Sequence, residues 1–106
     1  AWKRLHDAHA IVLQAENNEL RMANPFSAVP TDHQVHAAGR TWFANCAWDA
    51  VGICAALHSD GHIETTCADC AEPIEVEVRD QQPTDRHLLF HCLVPAANWW
   101  DDIVFT

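Results

Sequence analysis

The chain has 106 residues, 49% of them hydrophobic, which suits one small domain with a modest core. Its 15 acidic and 6 basic residues give a formal net charge of −9, which argues against a nucleic-acid surface or an anionic-membrane patch and leaves small ligands open. No apolar run approaches the roughly 18 residues of a membrane span, and no signal-peptide pattern is visible in the residues given. The sequence does not begin with Met and stops after "DDIVFT", so residues 1–106 are expected to be a single domain cut from a longer protein.

"HAIVLQ" (His9 to Gln14) reads as a strand, Asn17-Asn18 as a turn, and "LRMA" as the returning strand. "NPFSAVPTD" carries two prolines and no helical period, so it is a loop or an edge passage. "HQVHAAG" is a short extended piece ending at Gly39. The clearest helix follows, with Thr41 as expected N-cap and Trp42 to Leu57 free of proline. Its apolar groups, Trp48, Val51 and Ala55 among them, lie nearly all round, which predicts a buried helix. "SDG" (Ser59 to Gly61) ends it.

Beyond the helix, "HIETT" is a strand and "CADCAEP" a tight turn. "IEVEVRD" alternates with period two, which predicts Ile74, Val76 and Val78 inward and Glu75 and Glu77 outward. "QQPTD" turns, "HLLFHCLV" is another strand, and "PAANWWDD" turns before "IVF". Antiparallel strands packed around one buried helix make an α+β domain.

Five cysteines, at positions 46, 54, 67, 70 and 92, are an odd number without the spacing of a disulfide framework. A reducing, cytoplasmic compartment is the expectation. Cys46 and Asp49 stand three apart, on neighbouring positions of one helix face. They can present a thiol and a carboxyl to one point, with Cys46 near the helix N-terminus, where backbone N–H groups favour a thiolate. A thiolate binds soft metals, and a partly buried carboxyl keeps its proton and can act as a general acid. The alternative for the pair is a core cysteine beside an Asp bonded to backbone.

Cys54 lies about 80° round the helix from Cys46 and reads as a small core residue. Cys67 and Cys70 form a C-x-x-C turn, half of a zinc site. Its other half would have to come from His91-Cys92 or from His58 and His62. Adjacent strand residues such as His91 and Cys92 face opposite sides. A turn with one buried thiol is the plainer reading, and a thioredoxin-like motif would need a βαβ context. His33 and His36 have no ligand spacing, and Trp99-Trp100 reads as packing.

"NPFSAVPT", "FANCAWDAVGI", "IETTCADCAEPIEVEV" and "LVPAANWWDDIVFT" together resemble the alkylmercury (organomercurial) lyase family, in particular its shorter relatives. The likeness runs from about Ala8 to the last residue; the family's N-terminal helical region is expected to be lacking here, with "AWKRLHDAH" as the remnant of its end. The resemblance implies protonolysis of a carbon–mercury bond, with mercury as substrate and product and no added cofactor. It places the catalytic cysteine at Cys46, the catalytic aspartate at Asp49 and a structural cysteine at Cys67. The family's second catalytic cysteine comes from a later strand. Counting back from His91 puts it near His87, and the neighbouring thiol is Cys92, which a bulge would have to turn inward. Cys70 is the other candidate second thiol. Cys46 and Cys92 are then the expected mercury ligands. The expected partner is a small organomercurial or another soft-metal ligand, and no oligomeric state follows. Two rival readings are a non-catalytic soft-metal or small-ligand module on the same fold and a small zinc-binding structural domain.

Overall fold

A computed structural model of the chain describes residues 2–17, 19–85, 87–89, 95–101 and 103. Helix α1 (Trp2–Asp7) leads into a small antiparallel sheet of β1 (Val12–Leu13), β2 (Leu20–Ala23) and β3 (Phe26–Ser27). A second antiparallel sheet is built from β4 (Gln34–Ala37), β5 (Arg40–Phe43), β6 (Gly61–Thr66), β7 (Pro73–Arg79) and β8 (Gln82–Pro83), in the order β5-β4-β6-β7-β8. Helix α2 (Ala47–Leu57) connects β5 to β6 and packs on β4 and β6. A 3-10 turn spans Ala96–Asp101, where Trp100 stacks on His9 with ring centroids 4.0 Å apart. The fold is α+β with antiparallel sheets, as its alternating segments predict.

Alternation decides which face of the larger sheet is dry. Val35, Ile63 and Val78 are buried on one side, with Val35 directly opposite Ile63 in the ladder. His36 and His62 pair across the same two strands on the other side. There His36 Nε2 lies 3.0 Å from Glu64 Oε2, while His62 contacts Glu77 and lies 3.5 Å from Glu75. In β7, Val78 is buried, Ile74 and Val76 are half-buried and Glu75 is exposed, so the predicted register holds. Glu77 is half-buried because it lies against His62.

Two expectations for the helix are corrected. It starts at Ala47 with Cys46 as N-cap, whereas Thr41 lies in β5 and pairs with His36. The helix is also not buried all round. Ala50, Ile53 and Cys54 face the sheet, while Trp48 is 56% and Val51 38% exposed. A strand followed by a helix can satisfy one apolar run because both bury one face of it. The helix closes at His58, whose backbone is left-handed (φ 49) and whose N–H bonds Ala55 O at 3.2 Å.

Close packing of α2 on β6 has one strict requirement. A Cβ at Gly61 would stand 2.7 Å from Cys54 Sγ and 3.2 Å from the His36 carbonyl. The small thiol and the missing side chain together let the helix sit on the sheet. Burial also raises the Cys54 thiol pKa, so this sulfur is an inert core group. The expected strand "HLLFHCLV" and the terminal "IVF" lie almost wholly outside the described residues.

Candidate active site

The residues ahead of α2 are fixed by backbone and hydroxyl contacts before any functional group is considered. The buried Ala44 bridges to Phe26 and so joins the two sheets. Its N–H donates to His33 O at 2.9 Å, and its carbonyl accepts from Thr31 Oγ1 at 2.5 Å. Asn45 follows. Its amide nitrogen donates to Asn24 Oδ1 at 3.0 Å and to Asp49 Oδ2 at 3.1 Å, with the Pro25 carbonyl at 3.4 Å. An amide NH₂ has two donors, and the two short contacts use both.

Cys46 then takes the N-cap position in extended conformation (φ −156, ψ 178). Its sulfur accepts the Asp49 backbone N–H at 3.5 Å, the bond a Ser or Asp cap would make. Helix geometry brings the Asp49 carboxyl round to the same end, where the Cys46 thiol also donates to it. Thiol and carboxyl are both half-buried. The expected juxtaposition of Cys46 and Asp49 is therefore present, though as cap and first-turn residue and not as two positions inside a helix.

Electrostatics at this point pull in two directions. Burial pushes the Asp49 carboxyl above its ordinary pKa, and hydrogen bonds from Asn45 and Cys46, with the nearby His33, draw it back. The net shift is upward. His33 is pushed down by burial, against the pull of Asp32 and Asp49, and its Nδ1 lies 2.5 Å from Thr65 Oγ1. A carboxyl that binds a proton more readily than usual, hydrogen-bonded to a thiol, is suited to taking a proton from the sulfur and passing it to a group held there.

Asn45 and His33 were not singled out from the sequence. Asn45 sits directly before the Cys–Asp pair, and an amide next to an N-cap was the available signal. His33 gave none, because its link to Asp49 runs through the sheet. Cys67 and Cys70 share the β6–β7 turn and both are free. His62, Glu64 and Glu75 bring ligand atoms within 4.8 Å of one another on the exposed sheet face. Among the described residues, no further His or carboxylate joins Cys67 and Cys70 in a ligand set. Cys92 lies outside the described residues, as does its relation to Cys46.

The family model for MerB, alkylmercury lyase, matches residues 26–106, a span that holds Asn45, Cys46 and Asp49. The chain belongs to the alkylmercury lyase family. A solved structure described as the mercury-bound form of MerB2 matches this lyase-family chain with a TM-score of 0.65 and 37% sequence identity. The match covers 78% of this chain and 40% of that one, so the chain spans well under half the length of this relative. Comparison with curated protein sequences finds no match. Among the described residues no helix is long and apolar enough to cross a membrane.

Proposed function

We propose that this protein is an organomercurial lyase that protonolyses a carbon–mercury bond to give a hydrocarbon and mercuric ion. The observation that carries the reading is the hydrogen-bonded pair of Cys46 and Asp49 at the start of α2, within the span matched by the family. The mercury-bound relative adds that a protein of this fold holds the metal.

The chemistry follows from the pair. Cys46 attacks the mercury of an organomercurial, its sulfur–mercury bond replaces the bond to the halide or thiolate the metal carried, which leaves as the anion, and the thiol gives up its proton. Soft thiolate is the preferred ligand of this soft cation. The Cys46 thiol stops donating to Asp49 at that moment. One of the bonds that keep the carboxyl pKa down is then lost, so Asp49 is the natural acceptor of the released proton. A second thiolate, which the family resemblance assigns to Cys92, adds electron density to the metal and weakens its bond to carbon. Asp49 returns the proton to the leaving carbon, the carbon–mercury pair of electrons forms the new C–H bond, and mercuric ion stays on the thiolates. Protein side chains supply each step, and no added cofactor is needed. The partner is a small organomercurial, and the expected compartment is the cytoplasm, where free thiols persist.

The test is hydrocarbon release from an arylmercurial, measured beside binding of the same compound. Asp49→Asn keeps the shape without the transferable proton and should bind while releasing hydrocarbon about 10²–10⁴-fold more slowly. Cys46→Ser should lose tight binding. Wild-type protein that binds the arylmercurial and releases nothing would refute the lyase reading.

A further inference from the structure

The C-x-x-C turn is not used by the mechanism above. Cys67 extends the β6–β7 ladder by one rung, donating its N–H to Glu72 O at 2.9 Å, and its carbonyl accepts the Ala71 N–H at 2.9 Å. Ala71 takes a left-handed conformation (φ 61) that lets the chain turn back into β7. Inside this loop the backbone N–H groups of Cys70 and Asp69 and the nearby Cys70 thiol draw the Cys67 thiol pKa down. Two thiols therefore share one turn, Cys67 half-buried and Cys70 exposed. Both are free thiols.

The turn also lies on the site's side of the sheet. Strand alternation puts Cys67 on the face of Ile63 and Thr65, and Thr65 touches His33, which feels the charge of Asp49. Among the described residues no His or carboxylate oxygen lies close enough to both sulfurs to complete a three-ligand group, so the donor set is two thiols. That set is short of the four ligands of structural zinc. It matches the linear two-coordination that mercuric ion prefers.

We propose that Cys67 and Cys70 form a second thiophilic-cation site, which takes up mercuric ion as a bis-thiolate once the ion leaves Cys46. The source of the ion rests on the lyase reading; the chelate itself does not. Each of the two thiols loses its proton and displaces one thiol ligand already on the ion. Two Hg–S bonds form, two break, the departing ligands carry away the protons, and no redox change occurs. Holding both sulfurs in one turn gives the second bond a high effective concentration, so the chelate outlasts competition from single thiols.

The experiment uses the full chain with Cys46→Ser and Cys92→Ser, loaded with mercuric chloride and washed with a large excess of a monothiol. One equivalent of mercury should remain per chain. Adding Cys70→Ser, on an exposed residue of the turn, should remove it, and adding Cys67→Ser should do the same. A background protein that retains no mercury would overturn the proposal, as would retention that survives Cys70→Ser. Hydrocarbon release from the otherwise unaltered protein is measured separately, so a failed lyase reading is distinguishable from a failed chelate.

Discussion

Asn45 Nδ2 lies 3.1 Å from Asp49 Oδ2, one helical turn away, while the same nitrogen lies 3.0 Å from Asn24 Oδ1 in the loop before β3. The proposed proton donor is thus anchored through Asn45 to the smaller sheet's loop as well as by its own helix. Asn45 favours the charged carboxylate, because its N–H donates to it. Asn45→Ala should therefore raise the Asp49 pKa further and slow hydrocarbon release about tenfold or more by loosening the carboxyl's aim. Carboxyl carbon NMR of Asp49 gives the first quantity directly. An unmoved or lowered midpoint would show that Asn45 does not govern this proton.

Cys46 serves the helix and, in the proposed mechanism, the metal, and the two roles can be separated. Serine keeps the cap bond to the Asp49 N–H, and alanine loses it. Cys46→Ser should exceed Cys46→Ala in unfolding free energy by about 0.5–2 kcal/mol in urea. Hydrocarbon release from an arylmercurial should be equally absent in both. Equal stability of the two variants would remove the capping role.

The two shifted groups near the site give opposite pH signatures. Asp49 is raised, so its favourable contribution is complete below its unfolded pKa and is lost as pH rises through the folded one. Asp49→Asn should accordingly stabilise the protein at neutral pH and gain less below the carboxylate range. His33 is lowered, so its contribution is present above its ordinary 6.5 and lost as pH falls through the folded value. His33→Gln should flatten that acid-side loss. Unfolding curves for the wild type and both variants across this range check both signs. A gain for Asp49→Asn that does not change with pH would contradict the first.

Gly61→Ala places a methyl against Cys54 Sγ and the His36 carbonyl. Overpacking of this kind costs about 1–3 kcal/mol. Cys54→Ala removes the sulfur that is met first, so the double variant should be more stable than the sum of the two single changes. Strict additivity in a double-mutant cycle would mean that the two positions do not compete for the same space.

The central strands β4, β6 and β7 of the larger sheet were legible because one of the sheet's faces is wet. Val35, Ile63 and Val78 alternate with His36, His62 and Glu77, and period two separates them without help from the rest of the chain. The start of α2 was not legible for the converse reason. Thr41 is β-branched, and Trp42 and Phe43 are apolar and half-buried, so a run that reads as continuous with the helix hides a strand, a bridge and a helix start. Cysteine is also an uncommon cap, which concealed Cys46 in that role. Asn45 acts on residues about twenty positions away, and only the folded chain shows which acceptors its amide meets.

The capping bond at Cys46 has a consequence for how such a protein can change over generations. Cysteine and serine codons differ by a single base, and serine is the better cap. On the proposed mechanism, one mutation at position 46 would yield a chain that folds as well as its parent and leaves mercurials uncleaved. Folding quality control has no means of detecting that loss. On the proposed function, only continued exposure to the mercurial substrate would keep the sulfur in place, so descendants freed from it can drift into stable proteins that carry the shape of the site without its proposed reactivity.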